Sequence, residues 1–311
     1  MRVKSGSLRV RRYRHDDFED LVAFYEDLKK DGSGLDEKEV RFLRVKLSRP
    51  GYDPEKDLLV LSGAKGFLAL SDIVNEPRIS RAVVDFQVRR EHLFREAAAV
   101  LMEPCLKRCA ELEAERIHVC LAENDQPAQR FFEASGFKRV RIFLGMKADL
   151  RGRLNPGDKL QGARHASLAP GEEACLQELQ NGIFAGSWGF CPNTVDEIKY
   201  YLALTGTSIK DILFLREGDE LAGYSWMHES PASAFTIKEV RIHMFGIKKK
   251  FRGKGLGGEL LRLSLDLMGG MGFRVASLTV DAGNKPACAL YAGQGFRIES
   301  KSFWLEKEIS L

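Results

Sequence analysis

A glycine-rich stretch that runs into a leucine-rich helical pattern is the part of the sequence best suited to chemistry. Residues 248–258 contain five cationic residues and four glycines, and leucines recur at helical spacing through residue 267. Glycine lets a backbone approach an anion closely, and the start of a helix presents unpaired N–H groups and the positive end of the helix dipole. The stretch therefore predicts a phosphate-binding turn to which Arg252 and Lys254 add positive charge.

Two other interpretations of this turn stay open. A solvated basic turn without a ligand is the simplest, but glycines inside the start of a helix cost about 1 kcal/mol each relative to alanine. Dinucleotide binding is the second, because Gly253, Gly255 and Gly258 satisfy G-x-G-x-x-G. Asp281 could then bind a ribose. That motif normally follows an apolar strand directly, whereas Lys248–Arg252 intervene here.

Two linked motifs in the second half resemble the GNAT superfamily of N-acetyltransferases. Residues 252–257 read RGKGLG, which resembles the R/Q-x-x-G-x-G/A acetyl-CoA signature of that family. Residues 284–296 read NKPACALYAGQGF and resemble the N-x-x-A-x-x-x-Y-x-x-x-G-F element that follows its fifth strand. The resemblance covers residues 160–311 well and the first half in outline. It implies an acetyl-CoA-dependent N-acetyltransferase that acts on an unidentified primary amine, either a small molecule or a peptide.

The resemblance implies a cofactor site at the end of the fourth strand, in the glycine-rich turn and in the later motif. The residues concerned are Phe245, Gly246, Ile247, Arg252, Gly253, Lys254, Gly255, Leu256, Gly257, Asn284 and Tyr291. Tyr291 is also the candidate for protonating the departing thiolate, since a phenol of pKa about 10 can supply a proton to a thiolate whose thiol has a pKa near 8.5. Packing is its competing role. Asn284 could orient the cofactor or cap the helix that starts beside Pro286.

An acceptor amine with a lysine-like pKa of about 10.4 has to lose a proton near neutral pH. Glu239 and His243 are the candidate bases, because with Arg241 and Phe245 they alternate along one face of the presumed fourth strand. Alternation places Met244 on the opposite face. A solvated glutamate and an ordinary hydrogen-bonding histidine are the competing roles of the two candidates.

An aromatic, glycine-containing loop at residues 181–192 lies where GNAT proteins often form the wall of the acceptor site. Phe184, Trp188 and Phe190 could line an apolar acceptor pocket, or they could pack against the other domain. Two GNAT-like halves with one intact cofactor motif resemble the organisation of mycothiol synthases. The resemblance in the loop at residues 181–192 is too slight to assign the acceptor of those enzymes to this chain.

The chain reads as a duplicated α/β (α+β) unit. Residues 86–137 align with residues 245–296 at a constant offset of 159, and each half passes from strands through a helix to a further strand and a short helix that ends in Gly-Phe. This predicts two tandem GNAT-like domains, each with a mixed, mostly antiparallel sheet flanked by helices. The expected limits are 1–150 and 163–311, joined by a Pro- and Gly-containing linker at 151–162.

Only the second half keeps the residues for cofactor binding. At the same offset, Leu93, Phe94, Glu96 and Ala98 replace Arg252, Gly253, Gly255 and Gly257, while Asp125 and Phe132 replace Asn284 and Tyr291. Two like charges about 4 Å apart repel by about 4 kcal/mol at an effective dielectric constant of 20, so Glu96 would oppose a phosphate. The first half is therefore predicted to be a degenerate domain without the phosphate-binding turn.

Composition sets the remaining expectations. The 311 residues are 44% hydrophobic and 30% charged with a net charge of +4, as in ordinary globular proteins. Six cysteines form no Cys-x-x-Cys pair, so no metal site is expected. Without a signal-like or membrane-spanning stretch we expect a cytoplasmic protein. The small net charge argues against nucleic acid as a partner, although Lys248–Lys254 could bind nucleic acid in a non-enzymatic module. A non-catalytic acetyl-CoA sensor is the other alternative to an enzyme. The oligomeric state stays open.

Overall fold

The structure, a computed structural model, describes residues 9–29, 32–64, 66–89, 94–153, 165–207, 211–230 and 238–309. The chain divides into two compact units. Unit 1 comprises Met1–Arg141 and Ser302–Leu311, and unit 2 comprises Ile142–Lys301. Within the described ranges, no helix is both long and apolar enough to cross a membrane.

Unit 1 is a mixed sheet with helices on both faces. Its own strands are β1 (Arg9–Arg12), β2 (Leu58–Gly63), β3 (Gly66–Glu76), β4 (Arg81–Val88) and β5 (Arg116–Ala122). They neighbour one another in that order, and only β4 and β5 are parallel. The helices are α1 (Phe18–Leu28), α2 (Glu37–Leu47), α3 (Pro54–Asp57), α4 (Phe94–Glu111) and α5 (Gln126–Ala134). In β4, Ala82, Val84 and Phe86 point into the core against α4, as strand periodicity requires.

Unit 2 repeats this architecture. Its strands are β6 (Lys138–Asp149), β7 (His165–Ser167), β8 (Ile212–Glu217), β9 (Glu220–Glu229), β10 (Glu239–Ile247) and β11 (Val275–Asp281), in the order β6-β11-β10-β9-β8-β7. Only β10 and β11 are parallel. The helices are α6 (Glu173–Phe184), α7 (Val195–Thr205), α8 (Leu256–Gly270) and α9 (Lys285–Gly293). These observations confirm the predicted mixed, mostly antiparallel α/β class.

Two apolar clusters hold unit 2 together, one on each face of its sheet. The leucines of α8 pack with β10, β11 and α9, and Leu260, Leu261 and Leu265 are fully buried there. The opposite face packs against α6 and α7 around Trp226 of β9. Helix α7 begins at a capping box formed by Thr194 and Glu197, which satisfies amides that the helix itself leaves unpaired.

The compact units depart from the predicted domain limits because the last strands are exchanged. Residues 143–149 of β6 pair with β11 in unit 2, although they fall within the predicted first domain. Residues 302–308 of the final strand, β12 (Arg297–Glu308), pair with β5 in unit 1. Strand periodicity specifies which residues face a core but does not specify the neighbouring strand. Residues 154–162 of the predicted linker lie outside the described residues.

Candidate active site

The parallel strands of unit 2 diverge near the middle of the sheet. Strand β10 pairs with β11 at Glu239, Val240 and Arg241 only. Beyond that point β10 continues to pair with β9, and β11 continues to pair with β6. Backbone groups on the facing edges of the two strands are thereby left without a sheet partner, and such groups need hydrogen bonds from elsewhere. The gap is consequently a place where an extended ligand can bind along β10.

A β-bulge at His243 changes the faces of β10. The β9–β10 register shifts between Ile242 and Met244, so His243 is an extra residue. Met244 therefore packs with the cluster beside α6 and α7, and Phe245 packs with the cluster beside α8 and α9. The prediction that Phe245 shares a face with His243 and that Met244 lies opposite is wrong, because the bulge interrupts the alternation of side chains along β10.

The glycine-rich turn has the form expected of an anion site. Gly253 and Gly255 both have φ of +80°, and a Cβ at either residue would meet nothing within 4 Å. Gly255 is the N-cap of α8, and no side chain in the described ranges caps that helix. The first helical hydrogen bond runs from Glu259 N to the Gly255 carbonyl oxygen at 3.1 Å, so the amides of residues 256–258 precede it. Those amides and the helix dipole suit the phosphates of coenzyme A.

Arg252 fixes the base of this turn. Its Nε donates to the Ile247 carbonyl oxygen at 2.9 Å and its Nη2 to the Ile183 carbonyl oxygen at 3.3 Å. Helix α6 also packs tightly on β10, because a Cβ at Gly246 would come within 2.5 Å of Ile183. The end of β10, the turn and the end of α6 are therefore held together.

Three other cations of the basic run have local contacts. Lys248 and Lys250 pair with Glu220 at 3.4 and 2.5 Å. Lys254 is exposed and lies over the Phe251 ring, 5.4 Å from its centroid. These contacts reduce the positive charge available for a nucleic acid and leave Lys254 beside the turn.

Asn284 and Tyr291 lie on α9. The Asn284 side chain accepts a hydrogen bond from Ala287 N at 3.2 Å, so it caps the helix, one of its two predicted roles. Tyr291 is 8% exposed, and its ring packs against Phe245 and Phe296. Burial, with a smaller contribution from Cys288, raises the pKa of Tyr291 to about 12. The phenol therefore keeps its proton at neutral pH.

Glu239 lies at the closed end of the gap and is already paired. Its Oε2 accepts a hydrogen bond from Lys147 Nζ at 2.7 Å. Burial alone would raise the pKa of Glu239, but the hydrogen bonds to the carboxylate and the Lys147 charge lower it overall. A carboxylate that is held ionised by a lysine is a weak proton acceptor. This geometry favours the structural role over the base.

His243 lies in a group of rings on the α6 and α7 side. Its ring centroid is 4.9 Å from Trp226, 5.8 Å from His228 and 6.0 Å from Tyr201. Burial, His228 and Arg241 together lower the pKa of His243 to about 3, so the imidazole is neutral. Trp226 and Tyr201 were not identified from the sequence. The available signal was the alternation of Tyr224, Trp226 and His228 along β9.

The predicted acceptor-wall aromatics all lie in unit 2. Phe184 and Phe190 pack with centroids 5.4 Å apart. Trp188 packs against Phe143 of β6 at 6.0 Å. The structure thus brings Phe184 and Phe190 together beside the α6 end that touches Gly246, and it places Trp188 against β6.

Among the described residues, no cluster of His, Cys, Asp or Glu is suited to hold a metal ion.

Comparison with known proteins identifies this part of the chain. Residues 175–296 match the family model "Acetyltransferase (GNAT) family", a range that includes the glycine-rich turn and all of α9. These residues form a GNAT acetyltransferase domain. The range begins in α6 and ends at Phe296, so the GNAT domain also includes the gap between β10 and β11.

Relatives of the GNAT domain include proteins named mycothiol acetyltransferase. One from Corynebacterium efficiens is 38% identical over 189 residues, which cover 58% of this chain and 62% of that protein. One from Corynebacterium glutamicum is 37% identical over 97 residues, which cover 31% of this chain and 32% of that protein. The matches therefore span about one third to three fifths of these relatives.

Solved structures share the fold of the whole chain. A GCN5-related N-acetyltransferase from Sphaerobacter thermophilus has a TM-score of 0.69 at 18% identity and covers 99% of both chains. A tandem GNAT protein from the clavulanic acid biosynthesis pathway has a TM-score of 0.68 at 14% identity and covers 98% of this chain and 99% of that one. These similarities confirm the predicted fold of tandem GNAT-like halves.

Unit 1 has a helix where the GNAT domain has its open turn. Phe94, Glu96 and Ala98 all lie within α4, which is described from Phe94 onward. Phe94 and Ala98 are buried in the core, and Phe94 packs against Phe131 and Phe132. Leu93 lies outside the described residues. The pairing of β3 with β4 also has no counterpart of the bulge at His243.

Proposed function

We propose that the GNAT domain transfers an acetyl group from acetyl-CoA to a primary amine, either a small molecule or a peptide. One observation carries the proposal. The uncapped start of α8, opened by Gly253 and Gly255, lies in the same unit as the gap that begins after Arg241. A phosphate site and an extended groove for a pantetheine arm are what a coenzyme A thioester requires.

The residues fit acetyl-CoA. The amides of residues 256–258 and the side chains of Arg252 and Lys254 would hold the diphosphate. The edge of β10 that faces the gap at Phe245–Ile247 would hold the pantetheine arm. When bound, acetyl-CoA supplies an acetyl group activated as a thioester. Fixed N–H groups of β10 would stabilise negative charge on the carbonyl oxygen, and holding the amine beside the thioester lowers the entropic part of the barrier.

Tyr291 is proposed as the proton donor to the departing thiolate. Its ring contacts Phe245 on the strand that borders the gap, and its raised pKa keeps the phenol protonated. Neither Glu239 nor His243 is well placed as a strong base, since Glu239 is paired with Lys147 and the pKa of His243 is about 3. The amine would then lose its proton to solvent, which suits an α-amine of pKa about 8 better than a lysine-like amine.

Unit 1 is proposed to lack this activity. The counterpart of the open turn is folded into α4, and its Phe94 and Ala98 side chains fill core positions. A diphosphate would meet the Glu96 carboxylate there and no glycine backbone. The names of the mycothiol acetyltransferase relatives further support acetyl transfer by the GNAT domain.

The test follows release of free thiol from acetyl-CoA while primary amines are supplied to the full chain. Thiol release that depends on the amine supports the transferase. Stabilisation of the protein by acetyl-CoA without thiol release for any amine would instead identify a sensor. Nucleic-acid binding that does not depend on acetyl-CoA and weakens steeply with salt would identify a nucleic-acid module at Lys248–Lys254.

A further inference from the structure

Arg241 is a partly desolvated cation on the face of β10 opposite the cluster beside α8 and α9. Arg241 is half-buried on β10, at the last residue that pairs with β11. Its Nη2 donates to Thr279 Oγ1 at 2.9 Å. In the part of the chain that the structure describes, no carboxylate is within salt-bridge distance of its guanidinium. Residues 231–237, which follow β9, include no Asp or Glu in their sequence.

The charged and titratable groups around Arg241 do not compensate it. Glu239 raises the pKa of Arg241, but that carboxylate is bound by Lys147 at 2.7 Å. His228 pairs with Arg241 across the β9–β10 register, and burial together with the Arg241 charge lowers the pKa of His228, although its hydrogen bond with the Glu229 carbonyl opposes that shift. His243 is neutral for similar reasons. One positive charge without its own counterion therefore remains, and a cation in such surroundings is costly unless something pairs with it.

The direction of the Arg241 side chain connects it with the reaction. Arg241 pairs with Ser277 in the sheet, yet it bonds Thr279, two residues further along β11 and about 7 Å along the strand direction. The side chain thus extends toward the open part of the gap. Arg241 pairs with His228 of β9, and Phe245 pairs with Ser225. The two positions are therefore separated by three residues of β9, or about 10 Å along the strand. Measured along the strand direction, the guanidinium therefore lies about 3 Å, or one residue, short of Phe245.

From this placement we infer that the acceptor is an amine that carries a carboxylate close to its nitrogen, as in an α-amino acid, and that Arg241 binds the carboxylate. The inference rests on the proposed function. A guanidinium can bind a carboxylate through two parallel hydrogen bonds, which also fixes the direction of the attached amine. A fixed positive charge beside the amine lowers the pKa of that amine, and the neutral form becomes more abundant. Arg241 is a binding residue in this account.

The experiment compares matched pairs of an amino acid and its carboxamide, beginning with L-phenylalanine and L-phenylalaninamide. The full-length protein, Arg241→Gln, Arg241→Lys and the control Arg216→Gln are each assayed for thiol release and for amine binding by calorimetry in the presence of coenzyme A. Arg216 lies on β8 and bonds the Asp219 carbonyl oxygen. Thermal stabilisation by acetyl-CoA checks that each variant keeps its fold and cofactor site.

We expect amino acids to be favoured over carboxamides, and Arg241→Gln to raise the KM for amino acids by about tenfold to a hundredfold, the usual effect of a lost hydrogen bond to a charged group. The KM for carboxamides should stay within about twofold, because a neutral carboxamide forms no ion pair with the guanidinium. Arg241→Lys should recover part of the loss, and Arg216→Gln should behave like the wild type.

The outcomes separate the inference from the proposed function. Acetylation of carboxamides as efficiently as amino acids, or equal loss for both in Arg241→Gln, would overturn the inference and leave acetyl transfer standing. Binding of amino acids that depends on Arg241 without any thiol release would support the carboxylate site and contradict the transferase. If neither series binds to a protein that acetyl-CoA stabilises, the inference is overturned.

Discussion

The ring of Tyr291 lies nearly edge-on to the ring of Phe245, with centroids 6.2 Å apart and an interplanar angle of 65°. The contact joins α9 to the strand that borders the gap. It exists because the bulge at His243 turns Phe245 toward the α8 and α9 face, where uninterrupted alternation would turn Met244. The Tyr291 ring is thereby held against the side chain of Phe245, whose backbone is proposed to bind the pantetheine arm.

The Tyr291→Phe variant tests the proposed proton donor. The substitution keeps the ring packing and removes only the hydroxyl, which donates no hydrogen bond to any other described residue. We expect kcat to fall by about a hundredfold, the lower end of what general acid catalysis contributes, with the KM for acetyl-CoA unchanged. Steady-state kinetics of thiol release measures both constants.

Tyr224→Phe is the matched control for that experiment. The buried Tyr224 hydroxyl donates to Gln180 Oε1 at 2.7 Å, so its removal leaves a buried amide oxygen without that donor. The free energy of unfolding should fall by about 1 to 3 kcal/mol. Acetyl transfer should continue at a similar kcat. Full activity in Tyr291→Phe would assign that residue to packing alone.

The pH dependence of acetyl transfer should follow the acceptor amine. Activity is expected to rise as the amine loses its proton, because only the neutral amine attacks. It should not fall again until the pH approaches about 12, where the buried Tyr291 phenol loses its proton. His243 has a pKa of about 3 and stays neutral across the range, so it contributes no inflection.

The measurement is kcat/KM across pH 6 to 10, the interval in which an α-amine of pKa about 8 titrates. The same series in His243→Gln provides the control. An inflection near the ordinary histidine pKa of about 6.5 that disappears in the variant would show that His243 acts as a base.

Glu239→Gln separates the two roles of that residue. The change removes the charge bound by Lys147, and we expect the free energy of unfolding to fall by about 1 to 2 kcal/mol, with kcat within about threefold of the wild type. Chemical denaturation and thiol release measure the two effects. A loss of kcat of about a hundredfold or more with unchanged stability would show that Glu239 is the general base.

The sign of the pH effect on stability follows from the lowered pKa of Glu239. The stabilisation from this group is present above the unfolded-state pKa of a glutamate and is lost as the pH falls through the lower folded-state value. Glu239→Gln should therefore weaken the pH dependence of stability on the acidic side. An identical acid-unfolding curve for the two proteins would contradict the ion pair with Lys147.

The form of the glycine-rich turn could be predicted from the sequence because local chemistry determines it. Glycine at 253 and 255 is required by positive φ, and the leucines of α8 follow an ordinary helical period. The same local reasoning predicted a closed counterpart around Glu96. The capping role of Asn284 was one of two alternatives, since an Asn before a helix beside Pro286 suits either.

The rest depends on contacts between segments distant in sequence. A bulge is set by the fit of two strands, so the side of β10 that carries Phe245 could not be derived from periodicity. Pairing of Lys147 with Glu239 requires β6 to lie beside β11, and the sequence placed β6 in the first domain. Likewise, the pattern of apolar residues does not reveal that β6 pairs with β11 and that β12 pairs with β5.

The most direct test of the account is calorimetric titration of the full chain with acetyl-CoA, together with Gly255→Glu and the control Gly272→Glu. Both glycines have positive φ and open space around the missing Cβ, and they lie at opposite ends of α8. We predict one bound acetyl-CoA per wild-type chain, no binding to Gly255→Glu, and unchanged binding to Gly272→Glu. Two acetyl-CoA molecules per chain, or binding to Gly255→Glu with wild-type affinity, would contradict a single cofactor site at this turn.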